Sequence, residues 1–124
     1  ISQLSFRRTT TTGGTAIVNI PIATDPNKNF RLVISGRIAA GSTSGTVGDA
    51  WGATREALFK NVAGTVTQIG STTIVSTFTD TNMATSSAIL SVATTNAQLT
   101  ITAPVGEGAT PTIDWSVEVI GLDN

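Results

Sequence analysis

Two stretches of this chain alternate apolar and polar residues with a period of two. Gln98–Ala103 sets Leu99 and Ile101 against Thr100 and Thr102, and Thr112–Ile120 sets Ile113, Trp115, Val117 and Val119 against Asp114, Ser116 and Glu118. Successive strand side chains point to opposite faces, so each stretch predicts a strand with one face buried. Trp115, Ile113, Val117, Leu99 and Ile101 are therefore expected in the core. Thr54–Val62 separates Glu56, Leu58, Lys60 and Val62 from Arg55, Ala57, Phe59 and Asn61. Phe30–Ala40 places Phe30, Leu32 and Ile34 opposite Arg31, Val33 and Ser35, with Gly36 interrupting, which predicts a strand bulged at that glycine. Shorter strands are expected at Leu4–Arg8, Thr15–Ile22, Thr65–Ile69, Thr73–Phe78 and Ala88–Ala93, with Pro21 at a strand end or edge.

Turn-forming residues separate these segments. Gly13-Gly14 follows four threonines, DPNKN spans residues 25–29, and Ala63-Gly64 has the spacing of a tight hairpin. Gly41–Gly52 has the composition of the longest loop, DTNMATSS makes a polar loop at residues 80–87, and TTNA turns the chain at 94–97. Many short strands with turns between them are the mark of a sandwich or barrel. The expectation is a single all-β domain over residues 1–124. It is read as an antiparallel two-sheet sandwich, jelly-roll-like, with residues 1–12 as an N-terminal arm or edge strand.

Composition narrows the chemistry more than the fold. The chain has 124 residues, 40% hydrophobic and 12% charged, enough apolar mass for a packed core and too little charge for a disordered polymer. Seven basic and eight acidic residues are scattered along it, so no field gathers nucleic acid. No apolar run approaches the length of a membrane-spanning helix. Neither nucleic acid nor membrane is an expected partner. Cysteine, histidine and tyrosine are all absent, which removes thiol chemistry, the usual neutral-pH base and the commonest metal ligand. No cofactor is expected.

The order of segments from Gly48 to Val119 resembles a small domain that recurs in virion proteins of tailed bacteriophages, in tail fibres, spikes and capsid decoration proteins. A glycine-rich loop leads into WGATREALFKN, then a hairpin, AGTVTQIGSTTIV. A strand pair, AILSVATTNAQLTITA, follows, and a tryptophan strand, TIDWSVEVIGL, closes the pattern. The loop before that last strand, PVGEGATPT, is longer than the pattern usually carries. The resemblance implies a virion location, a structural or adhesion role and a homo-oligomer, most simply a trimer, meeting other virion proteins. It carries no functional residues across.

Few residues offer a site. Trp51 and Asp49, in the glycine-rich loop, are the candidate binding residues: an exposed indole there would stack on a sugar face, as in a host surface glycan, or anchor a neighbouring copy. The alternative duty of Trp51 is to cover the open end of the sandwich. Asp25-x-Asn27-x-Asn29 opens with the spacing of a calcium loop, but Phe30 and Gly36 fall where glycine and a bidentate glutamate are needed, so an Asx turn is the expectation. Arg7 and Arg8 are adjacent on a strand and point to opposite faces. Asp114 and Glu118 share a face about 13 Å apart by strand rise, too far for a retaining glycosidase pair. The expected function is a non-enzymatic structural or adhesion module of a phage virion. The alternative is a carbohydrate-binding module using the loops around Trp51.

Overall fold

A computed structural model describes residues 3–24 and 28–121. Eight strands are seen among them: β1 (Gln3–Thr10), β2 (Thr15–Pro21), β3 (Lys28–Ile38), β4 (Ala50–Val62), β5 (Thr65–Thr79), β6 (Ser87–Ala93), β7 (Asn96–Thr102) and β8 (Ile113–Ile120). A single 3₁₀ turn, Thr81–Met83, precedes β6 and buries Met83. The strands form two antiparallel sheets, ordered β1-β8-β3-β4-β5 and β2-β7-β6. The protein is a two-sheet sandwich. Strand β8 returns between β1 and β3, and β7 likewise returns to β2, the nested pairing of a jelly roll. Strands β4 and β5, and β6 and β7, stay paired as hairpins held by two tight turns, whereas β3 reaches β4 through the long loop between Ile38 and Ala50.

Those turns follow from local chemistry. Val62 pairs with Thr65 across Ala63-Gly64, both with positive φ, 52° and 93°, the backbone of a two-residue turn whose twist matches the strands. Asn61 locks it from below: its Oδ1 accepts the Gly64 N–H at 2.9 Å while its Nδ2 donates to the carbonyl of Ile22 at 2.7 Å. Ala93 pairs with Asn96 across Thr94-Thr95 in the same manner, with Thr94 at φ 54°.

The core lies between the sheets and takes the residues that alternation assigns to it. Leu99, Ile101, Ile113, Trp115 and Val117 are all buried, as are Phe30, Leu32 and Ile34 of β3. On β4 the inward set is Arg55, Ala57, Phe59 and Asn61. Phe30 and Phe59 stack at 5.7 Å, and Trp51 meets Trp115 edge to face at 6.1 Å. Such aromatic pairs add about 0.5–1.5 kcal/mol beyond their burial.

Three expectations are corrected here. β3 has no bulge at Gly36, which pairs in regular register with both Trp51 and Trp115. It faces inward beneath the Trp115 ring, where a Cβ would lie 2.3 Å from Cε3. The glycine makes room rather than a kink. The register shifts occur instead between β4 and β5, near Thr54/Arg55 and Glu56/Leu58, so residues 65–69 and 73–78 form one irregular strand through Gly70. Lastly, Trp51 stands at the start of β4 rather than within the loop. The segment read as an arm or edge strand is β1, paired along its length with β8, with Leu4 and Phe6 packed against the core. Of the DPNKN turn, Asp25 and Asn27 lie outside the described residues, and Asn29 belongs to β3.

Because Gly36 and Trp115 occupy one space, Gly36→Ala is expected to cost about 2–3 kcal/mol by overpacking, and Trp115→Ala about 3–5 kcal/mol by cavity formation. Urea unfolding of Gly36→Ala, Trp115→Leu and the double variant checks the coupling. The double loss should be smaller than the sum of the singles, and strict additivity would refute a shared contact.

Candidate functional site

The surface feature with the most polar chemistry is a trough of about 770 Å³ across the outer face of the five-stranded sheet. Register places its residues. Arg7 of β1 lies opposite Ser116 of β8, Ser116 opposite Ser35 of β3, Ser35 opposite Gly52 of β4, and Gly52 opposite Phe78 of β5. A second row runs Thr9, Asp114, Arg37, Ala50, and reaches Asp80 just beyond β5, where the Asp80 amide donates to the Ala50 carbonyl. Small residues in the middle strands leave the floor low, and the long side chains stand at the rim.

The rim is partly occupied by its own hydrogen bonds. Asp114 accepts the Thr9 hydroxyl at 3.1 Å, and Asp80 Oδ2 accepts the Ala50 N–H at 2.8 Å. Neither the Arg7 nor the Arg37 guanidinium has a hydrogen bond or ion pair among the described residues; the ion pair seen there, Arg31–Glu56 at 2.6 Å, lies elsewhere on the same face. Phe78 is 71% exposed. The backbones of Asp80 and Asp114 stand three strand spacings apart, about 14 Å.

The Trp51 side chain is buried in the core. It is 2% exposed, packed against Trp115, with the Arg55 guanidinium 5.7 Å above its ring. An indole so placed cannot stack on a sugar, and the expectation of an exposed Trp51 gives way to a core role. Arg55 is itself buried, where its NH1 donates to the carbonyls of Thr54 and Ser76 and to the Thr77 hydroxyl. Burial lowers its pKa. Sequence reading set Arg55 on the face of Ala57 and Phe59, a signal that it points inward, but gave it no role.

Asp49, the other candidate, stands beside a buried acid that alternation could not reveal. Glu107, in the loop before β8, is 1% exposed; its Oε2 accepts the Thr46 N–H at 3.0 Å and its Oε1 has no partner among the described residues. Burial pushes its carboxyl above the usual carboxylate range, and the nearby charges of Asp49 and Asp80 push the same way, against the Thr46 amide. The glycine-rich loop closes over this group. Gly45 adopts φ +80°, and a Cβ there would meet Glu107 Oε2 at 2.6 Å. Hydroxyls complete the seam: Ser44 accepts the Thr110 N–H and Ser42 accepts the Thr112 N–H. Asp49 stands half-buried in this loop beside Glu107. Asp114 and Glu118 share the outer face of β8, as alternation implies.

Among the described residues no cluster of three or more acidic, histidine or cysteine side chains is arranged to hold a metal ion. No helix is long and apolar enough to cross a membrane. No family model matches the sequence, and no curated protein matches it. Solved structures do resemble the fold. The tailspike protein of Acinetobacter baumannii phage AM24 superposes with a TM-score of 0.60 at 9% identity, over 99% of this chain and 26% of that one. The tailspike of Acinetobacter phage vB_ApiP_P1 gives 0.49 at 15% identity, over 94% and 21%. The tailspike protein gp49 of Acinetobacter baumannii bacteriophage Fri1, a capsular polysaccharide depolymerase, gives 0.42 at 12%, over 97% and 17%. The chain spans about a quarter of the AM24 tailspike's length, and it shares that portion's fold.

The raised pKa of Glu107 has a definite sign. Its folded form holds the proton more tightly than the unfolded chain does, so its contribution is present in acid and lost as pH rises through the folded-state value. Glu107→Gln keeps an acceptor for Thr46 and supplies a donor to Asp49. Thermal melts at neutral pH should rise by about 3–6 °C, equivalent to about 1 kcal/mol, and converge with the wild type in acid, where the wild-type carboxyl is protonated in both states. A lower melting temperature at neutral pH would show that the charged form is the one the loop needs.

Proposed function

We propose that this chain is a non-enzymatic structural module of a phage tail, assembled as a homo-oligomer within the virion. The observation that carries this reading is the likeness of essentially the whole chain to one quarter of a phage tailspike. Between tail and capsid, that likeness favours the tail. The chemical inventory supports a structural role: without histidine, cysteine or tyrosine, catalysis would fall to carboxylates alone.

The sandwich has two unlike flanks, and their difference supports self-association. On one, β1 carries Arg7 and Arg8 and β2 ends at Pro21, residues that discourage edge pairing, and Arg8 Nε donates to the Ile17 carbonyl to tie the two edges together at 3.0 Å. On the other, the edge strands β5 and β6, TVTQIGSTTIVSTFT and SAILSVA, contain no charge and no proline. A groove of about 580 Å³ opens between them, lined in part by Ile74, Ile89 and Leu90. Ile74 is 69% exposed and Ile89 59%. A long uncharged edge beside an apolar groove is a pairing surface left unguarded. A second copy of this chain is the occupant proposed for it, in a trimer.

Light scattering of the purified chain at micromolar concentration should return about three times the 12.7 kDa protomer mass. Ile74→Lys should shift the mass toward one protomer while the far-ultraviolet circular dichroism stays unchanged, since the side chain is already in solvent. A wild-type mass of one protomer would overturn self-assembly through this flank. Antibody labelling of intact virions tests location: label on the shell instead of the tail would overturn the tail assignment.

A further inference from the structure

We infer that the trough on the outer face of the five-stranded sheet is a binding site for a segment of acidic polysaccharide, a chain of sugars bearing carboxylate groups. Shape comes first. The row Arg7, Ser116, Ser35, Gly52, Phe78 crosses five hydrogen-bonded strands, a length of about 19 Å at the spacing of neighbouring strands. Its three central residues are two serines and a glycine, so an extended ligand can lie low across the strands.

The side chains supply the chemistry in matching places. Phe78 presents an exposed ring at one end, and an aromatic face packs against the C–H face of a pyranose without competing for its hydroxyls. Arg7 at the other end and Arg37 in the adjacent row are exposed and have no hydrogen-bond or ion-pair partner among the described residues. Guanidinium forks suit the bidentate geometry of a carboxylate. Asp114 and Asp80 each commit an oxygen within the fold, which leaves the other to accept a sugar hydroxyl. Phosphate-rich polymers are disfavoured by those same two carboxylates in the trough. The set combines a stacking ring, two unpaired cations and two hydroxyl acceptors, which is complementary to a hydroxylated chain of intermittent negative charge.

This inference does not rest on the proposed assembly, because every lining residue named belongs to one copy. Its test is a titration of the isotope-labelled protein with a tetrasaccharide of galacturonate, followed by amide NMR, with cellotetraose as the neutral counterpart and free galacturonate as the lone carboxylate. The expected result is saturable shifts at Ser35, Gly52, Phe78 and Ser116 with the uronate chain, and weaker binding by about tenfold or more for the neutral chain and for the monosaccharide. Arg37→Gln and Phe78→Ala should each weaken binding by about tenfold while melting temperature stays at the wild-type value. Light scattering on each variant separates a lost ligand from a lost neighbour, and Arg37 lies two strands in from the β5 edge. Absence of shifts at millimolar uronate chain, equal response to all three sugars, or undiminished binding by Arg37→Gln would overturn the inference while leaving the assembly reading intact.

Discussion

The contact on which this sandwich is built is the face of Trp115 against the bare α-carbon of Gly36. Two indoles, Trp51 and Trp115, must fit on the inner face of one sheet, and they sit on either side of β3 at the same register. A side chain at that position would press into the Trp115 ring, since even a methyl group would lie inside its contact distance. With glycine there, Trp115 covers the α-carbon, meets Trp51 edge to face and still donates its indole N–H to the Thr10 hydroxyl at 3.1 Å. One position thus joins β1, β8, β3 and β4. The larger sheet depends on a residue with no side chain.

Around that centre, the threonines and serines do two different jobs. In strands they fill outward positions, where β-branched residues suit a half-solvated surface. In loops they replace the backbone partners that strands would supply: Ser42, Ser44 and Thr85 accept the amides of Thr112, Thr110 and Val105. The consequence is a glycine-rich loop that is tied to its neighbour without a disulfide or an ion. Glu107 is the exception within this seam, a carboxyl closed in beside Asp49 where a neutral group would suffice.

Most of the fold was legible because it rests on alternation. The inward set on β8 and β7 follows directly from period two, and the hairpin at Ala63-Gly64 follows from its flanking strands and glycine. What was not legible depends on contacts between segments distant in the chain. A glycine interrupting a strand has two meanings, a bulge or a close approach, and only the registration of Trp115 with Gly36 decides between them. Trp51 lies at a loop-strand boundary, and an offset of the β4 start separates a loop-tip indole from a core indole. The trough was invisible for the same reason: Arg7, Ser116, Ser35, Gly52 and Phe78 become neighbours through strand order alone, which no local pattern encodes.

The two flanks constrain any assembly beyond the number of copies. A pair of identical edges meeting β5 to β5 would close on a two-fold axis, using the same surface twice. A ring of three cannot use that contact, because each copy must present one surface to the next and a different one to the last. The flank bearing Arg7, Arg8 and Pro21 discourages strand pairing, so a three-fold arrangement would seat the β5–β6 groove on side chains of its neighbour rather than on a neighbouring strand edge. Such a contact joins copies by packing and leaves their sheets separate. It also leaves the outer face of the larger sheet to solvent wherever the neighbour does not reach, and there Arg7 and Arg37 stand away from the apolar groove. The uncharged flank and the charged trough are then compatible in one molecule: burying the first does not require desolvating the second, and guanidinium groups that find no partner among the described residues carry little cost while water surrounds them.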